Sequence, residues 1–321
     1  MGRSRAHWAA MVAGCVQVLG VLRLKPSHTI GEDAGMDSPS YATVLANGDV
    51  CVSDSSNNQV KVLTSGGATL HTLGCNVATT DCTDEPEDAA MFLHPTGLAS
   101  DGNVLYVAEW SHRVQKLRLP GGEQLAVAGR KGHGERDLMF PEGLVLAGGK
   151  LFVADSNNHR VVMYSKSLRW YSAFGSRGQK QGQFEHPSGM ATNGVDVFVA
   201  DRNNDRIQVF TTRGEFKRIL GGKGRQPGRF DDPWGLAVTM DRLFVSEGSG
   251  GRVQMLTLQG RPLQSIDSQY LQLPHVNGGR VAGLCVDEEA QSLYVVDERL
   301  GYVVVLELWS SAESQATRVE L

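Results

Sequence analysis

The sequence predicts an all-β fold, a six-bladed β-propeller of four-stranded antiparallel blades, and three observations carry the prediction. Glycine is 38 of 321 residues, about 12% where ~7% is typical, which suits a chain with many tight turns. Short runs rich in Val, Leu, Ile and Phe, such as Leu151-Phe152-Val153-Ala154 and Arg160-Val161-Val162-Met163-Tyr164, alternate with Gly, Asn and Asp turns, and no long stripe of helical period appears. The third observation is a repeat: Phe or Leu, two residues, Pro-x-Gly-Leu-Ala, a turn, Leu-Phe-Val-Ala-Asp, then Asn-x-Arg-Val-x-x-Phe.

Successive copies of the first part are Pro95-Thr96-Gly97-Leu98, Pro141-Glu142-Gly143-Leu144, Pro187-Ser188-Gly189-Met190 and Pro233-Trp234-Gly235-Leu236. The acid that ends the second part falls at Asp54, Glu109, Asp155, Asp201, Glu247 and Asp297, at spacings of 55, 46, 46, 46 and 50 residues. Six copies of one unit therefore replace the two domains that a chain of this length would otherwise suggest. A unit of three or four short strands cannot bury both faces alone, and packing such units around an axis covers the faces and leaves only short edges.

The expected layout is an N-terminal apolar segment at 1–24, a propeller at 25–309 and a tail at 310–321. Residues 1–24 have the basic-then-apolar order of a secretory signal, with Arg3, Arg5 and His7 ahead of Trp8 to Leu22, but no small-x-small cleavage site closes the run. The competing reading makes the end of this segment a strand that completes the sixth blade, because Leu22-Arg23-Leu24 and His28-Thr29-Ile30-Gly31 resemble the end of a repeat. The apolar run is too short for a comfortable membrane span, so no stable span is expected, and an intracellular location is favoured over secretion. Of five cysteines, Cys51 and Cys285 lie in apolar strand patterns and read as small buried hydrophobes, whereas Cys75 and Cys82 share a loop and would pair only in an oxidising compartment.

The elements Pro-x-Gly-Leu-Ala, Leu151-Phe152-Val153-Ala154-Asp155-Ser156-Asn157-Asn158-His159-Arg160-Val161 and Phe-Gly-x-x-Gly-x-x-x-Gly-x-Phe resemble the NHL repeat family of six-bladed propellers. The resemblance covers about residues 31–308 and is strongest in copies two to five. Copy one departs from it in Pro39-Ser40-Tyr41-Ala42, and copy six in Val281-Ala282-Gly283 and Arg299-Leu300-Gly301-Tyr302. The family is widely used for protein interaction and in some members for RNA binding. Propeller lactonases place acid and amide ligands around the axis, and peptide-amidating lyases with similar blades bind zinc through histidines.

Four of the repeated acids are followed at four or five residues by Arg113, Arg160, Arg206 and Arg252, a pattern expected to form structural ion pairs rather than a metal ring, while copies one and six carry Gln59 and Tyr302 and would lack the arginine partner. The residues between Pro and Gly, which are Ser40, Thr96, Glu142, Ser188, Trp234 and Ala282, should ring one mouth of the central channel. One carboxylate among them is a poor cage for a hard cation. His94 and His186 hold equivalent places two blades apart and do not make a zinc site, so no metal and no cofactor are expected.

Net charge is -4, which argues against a surface built wholly for nucleic acid. The loops ahead of copies one and two are acidic, whereas those ahead of copies three, four and five each carry +1, through Arg130, Lys131, Arg177, Lys180, Lys223, Arg225 and Arg229 among others. A polarised loop face favours oriented docking. The leading expectation is accordingly a monomeric, non-catalytic module that binds a protein or peptide partner through Arg130, Lys131, Arg177, Lys180, Lys223, Arg225, Arg229, Trp234 and Glu142. The alternatives are RNA binding through the mildly basic loops, or a propeller hydrolase or lyase with a metal at the central channel.

Overall fold

A computed structural model of the protein describes residues 22–74, 91–249, 251–267 and 281–310. The chain enters through β1 (Leu22–Ile30) and then builds its blades in order. Blade one is β2 (Pro39–Val44), β3 (Val50–Asp54), β4 (Gln59–Leu63) and β5 (Thr69–Leu73), and blade two is β6 (Pro95–Asp101), β7 (Val104–Glu109), β8 (Arg113–Arg118) and β9 (Glu123–Ala128). Blade three is β10 (Pro141–Ala147), β11 (Lys150–Asp155), β12 (Arg160–Ser165) and β13 (Trp170–Phe174), and blade four is β14 (Pro187–Thr192), β15 (Asp196–Asp201), β16 (Arg206–Thr211) and β17 (Phe216–Gly221). Blade five is β18 (Pro233–Val238), β19 (Arg242–Glu247), β20 (Arg252–Thr257) and β21 (Pro262–Ile266). The last three strands, β22 (Val281–Asp287), β23 (Ser292–Asp297) and β24 (Tyr302–Ser310), are completed by β1, in the order β1-β24-β23-β22.

The protein is thus a six-bladed propeller of four-stranded antiparallel sheets, as the repeat predicts. The ring closes through β1, which pairs with β24 from Leu22↔Ser310 to Ile30↔Val303. Since β1 starts at Leu22, residues 22–24 belong to the sixth blade, while residues 1–21, with Cys15, lie outside the described residues, as do Cys75 and Cys82. Cys51 is fully buried and Cys285 half-buried, both as free thiols. Burial pushes both thiols up, Cys51 to about 12.

The Pro-x-Gly signature has a direct steric cause. Proline starts the inner strand of blades one to five, where its missing N–H costs no ladder bond, and the ladder slips between that proline and the residue three on, as at Pro141/Leu144 and Pro187/Met190. The glycine in between lies against the backbone of the next blade: a Cβ on Gly97 would sit 2.0 Å from the Glu142 carbonyl oxygen, and one on Gly189 would sit 2.2 Å from that of Trp234. Inner strands can approach this closely around the axis only without a side chain at that place. Packing between blades is dominated by the alternating apolar positions of the second and third strands, with Phe152, Phe198, Phe244, Val153, Val199 and Val245 all fully buried. Each of the loops leading into blades three, four and five is anchored by one fully buried residue, Leu138, Phe184 or Phe230, through the bridges Lys131↔Leu138, Arg177↔Phe184 and Lys223↔Phe230.

Candidate functional site at the channel mouth

Inter-blade loops and the turns between second and third strands share one face of the ring. The repeated acids hold these two kinds of loop together. Asp201, with no exposed surface, accepts the Glu185 backbone N–H at 2.7 Å and the Arg206 Nε–H at 2.6 Å, and both carboxylate oxygens take the Asn204 amide at 3.0 Å. Arg113–Glu109, Arg160–Asp155 and Arg252–Glu247 repeat the ion pair at 3.0, 2.8 and 2.7 Å. In blade one, where Gln59 stands in place of the arginine, Asn57 donates to Asp54 instead. Burial raises the carboxyls of Asp54, Asp155, Asp201 and Asp297 above their ordinary value. They serve as loop anchors within the blades.

A second repeated contact joins neighbouring blades. In blades one to four, the last residue of the turn after the acid has left-handed φ, and its side chain accepts the N–H of the residue ahead of the next blade's proline. Asn58 accepts from His94 at 2.8 Å, His112 from Phe140 at 3.1 Å, His159 from His186 at 3.2 Å and Asp205 from Asp232 at 3.0 Å. Burial, the largest cause in each case, lowers the imidazoles of His112, His159 and His186 below their ordinary value. A lowered folded value means that stability present above pH ~6.5 is lost as pH falls through the folded values. The buried aspartates act in the opposite sense, losing stability as pH rises from their unfolded value, ~3.8–3.9, through their raised folded values. Replacing His112 and His159 with asparagine, the acceptor already present at Asn58, is therefore expected to reduce the fall in Tm between pH 7.5 and 5.5. An unchanged pH profile of Tm in the double variant would assign the acid sensitivity elsewhere.

The central channel carries the most unusual chemistry. Glu142 and Trp234, at the first position after the proline in blades three and five, are both 9% exposed. They converge with Tyr41, which stands in blade one where the other five blades carry the close-packed glycine. Tyr41 is 7% exposed and packs with Trp234 and Ala282. Its buried hydroxyl lies near the Glu142 carboxylate and the Trp234 indole, and burial, followed by the charge of Glu142, pushes the phenol well above its ordinary value. The Arg202 guanidinium lies over Trp234 at 3.9 Å from the ring centroid and is held there by Asp232, at 2.5 Å from Nε. Three alternate blades thus close the axis with an acid, a phenol and an indole. Beyond this closure, toward the opposite face, the channel continues as a cavity of about 270 Å³ lined by residues of all six inner strands, including Leu98, Leu144, Met190, Leu236 and Cys285.

The expected site residues distribute unevenly over this geometry. Glu142 and Trp234 are brought together at the mouth, and Tyr41 joins them. Arg130, Arg177 and Arg225 are turned back onto carboxylates of their own loops, Asp137 at 2.8 Å, Glu185 at 3.0 Å and Asp231 at 3.2 Å. Lys223 lies 3.8 Å from Asp205, Arg229 donates to the Gly221 carbonyl, and Lys131 and Lys180 are exposed. Positive charge on these loops is therefore largely compensated where it arises.

For a metal, the group able to converge among the described residues is His159, Glu185 and His186, whose ligand atoms lie within 4.8 Å of one another. His186 is thus gathered with the preceding blade's histidine, not with His94. Donor chemistry does not fit an ion well: His159 Nδ1 already accepts a backbone N–H, which places its proton on Nε2, and Glu185 is bridged by Arg177. Glu142 alone at the axis offers a hard cation one carboxylate where several oxygens are needed.

Comparison with known proteins agrees with the fold. The NHL repeat family model matches residues 138–164, and no curated protein matches the sequence. A gluconolactonase from Xanthomonas campestris is similar in structure with a TM-score of 0.61 at 16% identity, over 92% of this chain and 99% of that one. An inactive variant of virginiamycin B lyase from Staphylococcus aureus, crystallised with quinupristin, gives 0.57 at 16% identity over 84% and 80%. A chain of the nidogen/laminin complex gives 0.53 at 20% identity over 76% and 83%. Enzymes among these structures overturn the expectation of a non-catalytic docking module. That expectation rested on a complete blade set without a catalytic constellation, but the same ring frames a lyase and a lactonase, and the axis here assembles an acid beside a phenol. Among the described residues, no helix is long and apolar enough to cross a membrane.

Proposed function

We propose that this chain, an NHL-repeat six-bladed propeller, is a hydrolase or lyase whose chemistry takes place at the loop-face mouth of the central channel. The convergence of Glu142, Tyr41 and Trp234 from blades three, one and five carries the reading. Apolar side chains would close a propeller axis more stably, because burying a carboxylate and a hydroxyl costs free energy that only good partners offset. Perturbed ionisable groups in a concave site are where catalytic roles concentrate. The lyase and lactonase built on this frame add support from fold alone.

Each residue has a role that follows from its surroundings. Glu142 accepts a proton from water or from an acidic carbon. Tyr41, held neutral by burial and by the neighbouring carboxylate, donates its proton to the oxygen that develops charge as the bond breaks. Trp234 excludes water from beneath the pair, and Arg202, pinned by Asp232, fixes the indole. No step is routed through a metal, since the donor sets do not fit one.

Turnover of simple lactones and esters tests this reading. Glu142→Gln is expected to lower kcat/KM at least 100-fold with no loss of Tm, and Tyr41→Phe, which keeps the packing, about 10-fold or more. Wild-type protein inactive on such substrates, or a Glu142→Gln variant as active as wild type, would end it.

A further inference from the structure

Two residues at the channel mouth, in blades two and four, hold equivalent places and differ in kind. In blades two and four, the side chain of the residue after the buried acid meets the residue ahead of the next blade's proline. In blade four this is Arg202, which bridges to Asp232 and covers Trp234. In blade two it is Trp110, whose backbone N–H donates to the His94 carbonyl at 3.2 Å. Its ring lies against His94, at 5.2 Å and 30° between planes, and meets Phe140 edge-on at 5.9 Å and 87°. Blades one, three and five have Ser55, Ser156 and Gly248 in this place, and blade six has Glu298.

Trp110 remains 44% exposed, although it sits at the rim of a site. His94 supports one side of the indole and Phe140 closes an edge, so the exposed surface is a rigid aromatic face. Phe140 is two residues ahead of Glu142 on the same strand entry. In the repeat, Trp110 holds the place relative to Glu142 that Arg202 holds relative to Trp234. On the far side of the mouth the Arg202 charge is answered by Asp232, and along the rim Arg177 is answered by Glu185. Among the described residues, these two cations are therefore already paired.

We propose that Trp110 is the substrate-binding wall of this site, and that the substrate is a neutral molecule with an aromatic ring beside the bond that reacts. The ring stacks on the open face of the indole, and the reacting bond extends down to Glu142 and Tyr41. Offset stacking on a held indole favours an aromatic over a saturated ring of similar size. The inference rests on the enzymatic reading of the mouth and adds its substrate class.

Two lactones that differ by an aromatic ring test it: dihydrocoumarin and δ-valerolactone. Binding is measured by ligand-observed NMR on Glu142→Gln protein, which holds a substrate without turning it over. Dihydrocoumarin is expected to bind about tenfold more tightly than δ-valerolactone, with the preference falling to about twofold in Glu142→Gln/Trp110→Ala and largely retained in Glu142→Gln/Trp110→Phe. An unchanged preference in the alanine variant, or no binding of either lactone, overturns the proposal. If the preference follows Trp110 while wild-type protein turns over neither lactone, the aromatic wall stands and the enzymatic reading falls.

Discussion

A chain that begins at Gly31 is expected to lose cooperative folding, because β1 is the strand that ties the last blade to both of its neighbours. Leu24 is 1% exposed and belongs to the core shared with blade five, including Ile266 and Phe244, and its backbone exchanges hydrogen bonds with the Gln264 amide at 2.9 and 3.3 Å. Ile30, also 1% exposed, packs with Val50 and Leu63 of blade one and with Val303 of blade six. Burial of these two side chains contributes about 3–6 kcal/mol, before the strand pairing with β24 is counted. A domain is stable by only about 5–15 kcal/mol in all. Removal also leaves β24 as an open, apolar edge that can pair with another chain. Size-exclusion chromatography with light scattering should show oligomers, and thermal unfolding should broaden and shift down by at least ~10 °C. A synthetic peptide spanning residues 22–30 should restore part of the transition. Equal Tm values for truncated and full-length protein would show that the ring does not depend on this closure.

Closure by the N-terminal strand was legible in the sequence, because Leu22-Arg23-Leu24 and His28-Thr29-Ile30-Gly31 carry the ending of a repeat that the last copy lacks. Blade number, strand order and the role of the acids were equally legible, since each depends on residues close together in one copy. Across copies, less could be read. Glu142 and Trp234 were placed at the mouth by their position after proline, but their meeting with Tyr41 depends on the approach of alternate blades across an axis. The signal was the loss of glycine at position 41, which in every other blade is excluded from bearing a side chain by the neighbouring carbonyl. Histidines at 94 and 186 were compared as equivalent positions, whereas contact runs from the turn of one blade to the proline of the next, 27 residues apart for His159 and His186. A search at that offset would have found the pair. Counting charge along the loops overstated the free positive surface, because the short bridge that anchors each loop folds its acid back onto its own arginine.

Arg206→Ala should be among the most damaging single substitutions in the ring, although it lies far from the chemistry at the axis. Its guanidinium is the cationic partner of Asp201, and it also donates to the carbonyls of Gln179, Lys180 and Gln183, so that one side chain fixes the whole loop entering blade four. Breaking a buried pair from one side costs about 3–5 kcal/mol, because the remaining charge keeps its desolvation penalty. Asp201 would retain Asn204, Gln208 and the Glu185 N–H, all neutral donors. Arg130→Ala, on the exposed pair with Asp137, is expected to change stability little or not at all. Two further measurements separate charge from packing. Asp201→Asn/Arg206→Met removes both charges at similar volume and should be more stable than Arg206→Ala alone. The Arg206→Ala deficit should also shrink on acidification. Burial already raises the Asp201 carboxyl in the folded protein, and losing the arginine raises it further. A folded value above the unfolded one makes the folded state take up the proton first, so stability is regained as pH falls through that raised value toward ~3.9. A deficit independent of pH would show that the lost loop contacts, rather than the stranded carboxylate, carry the cost.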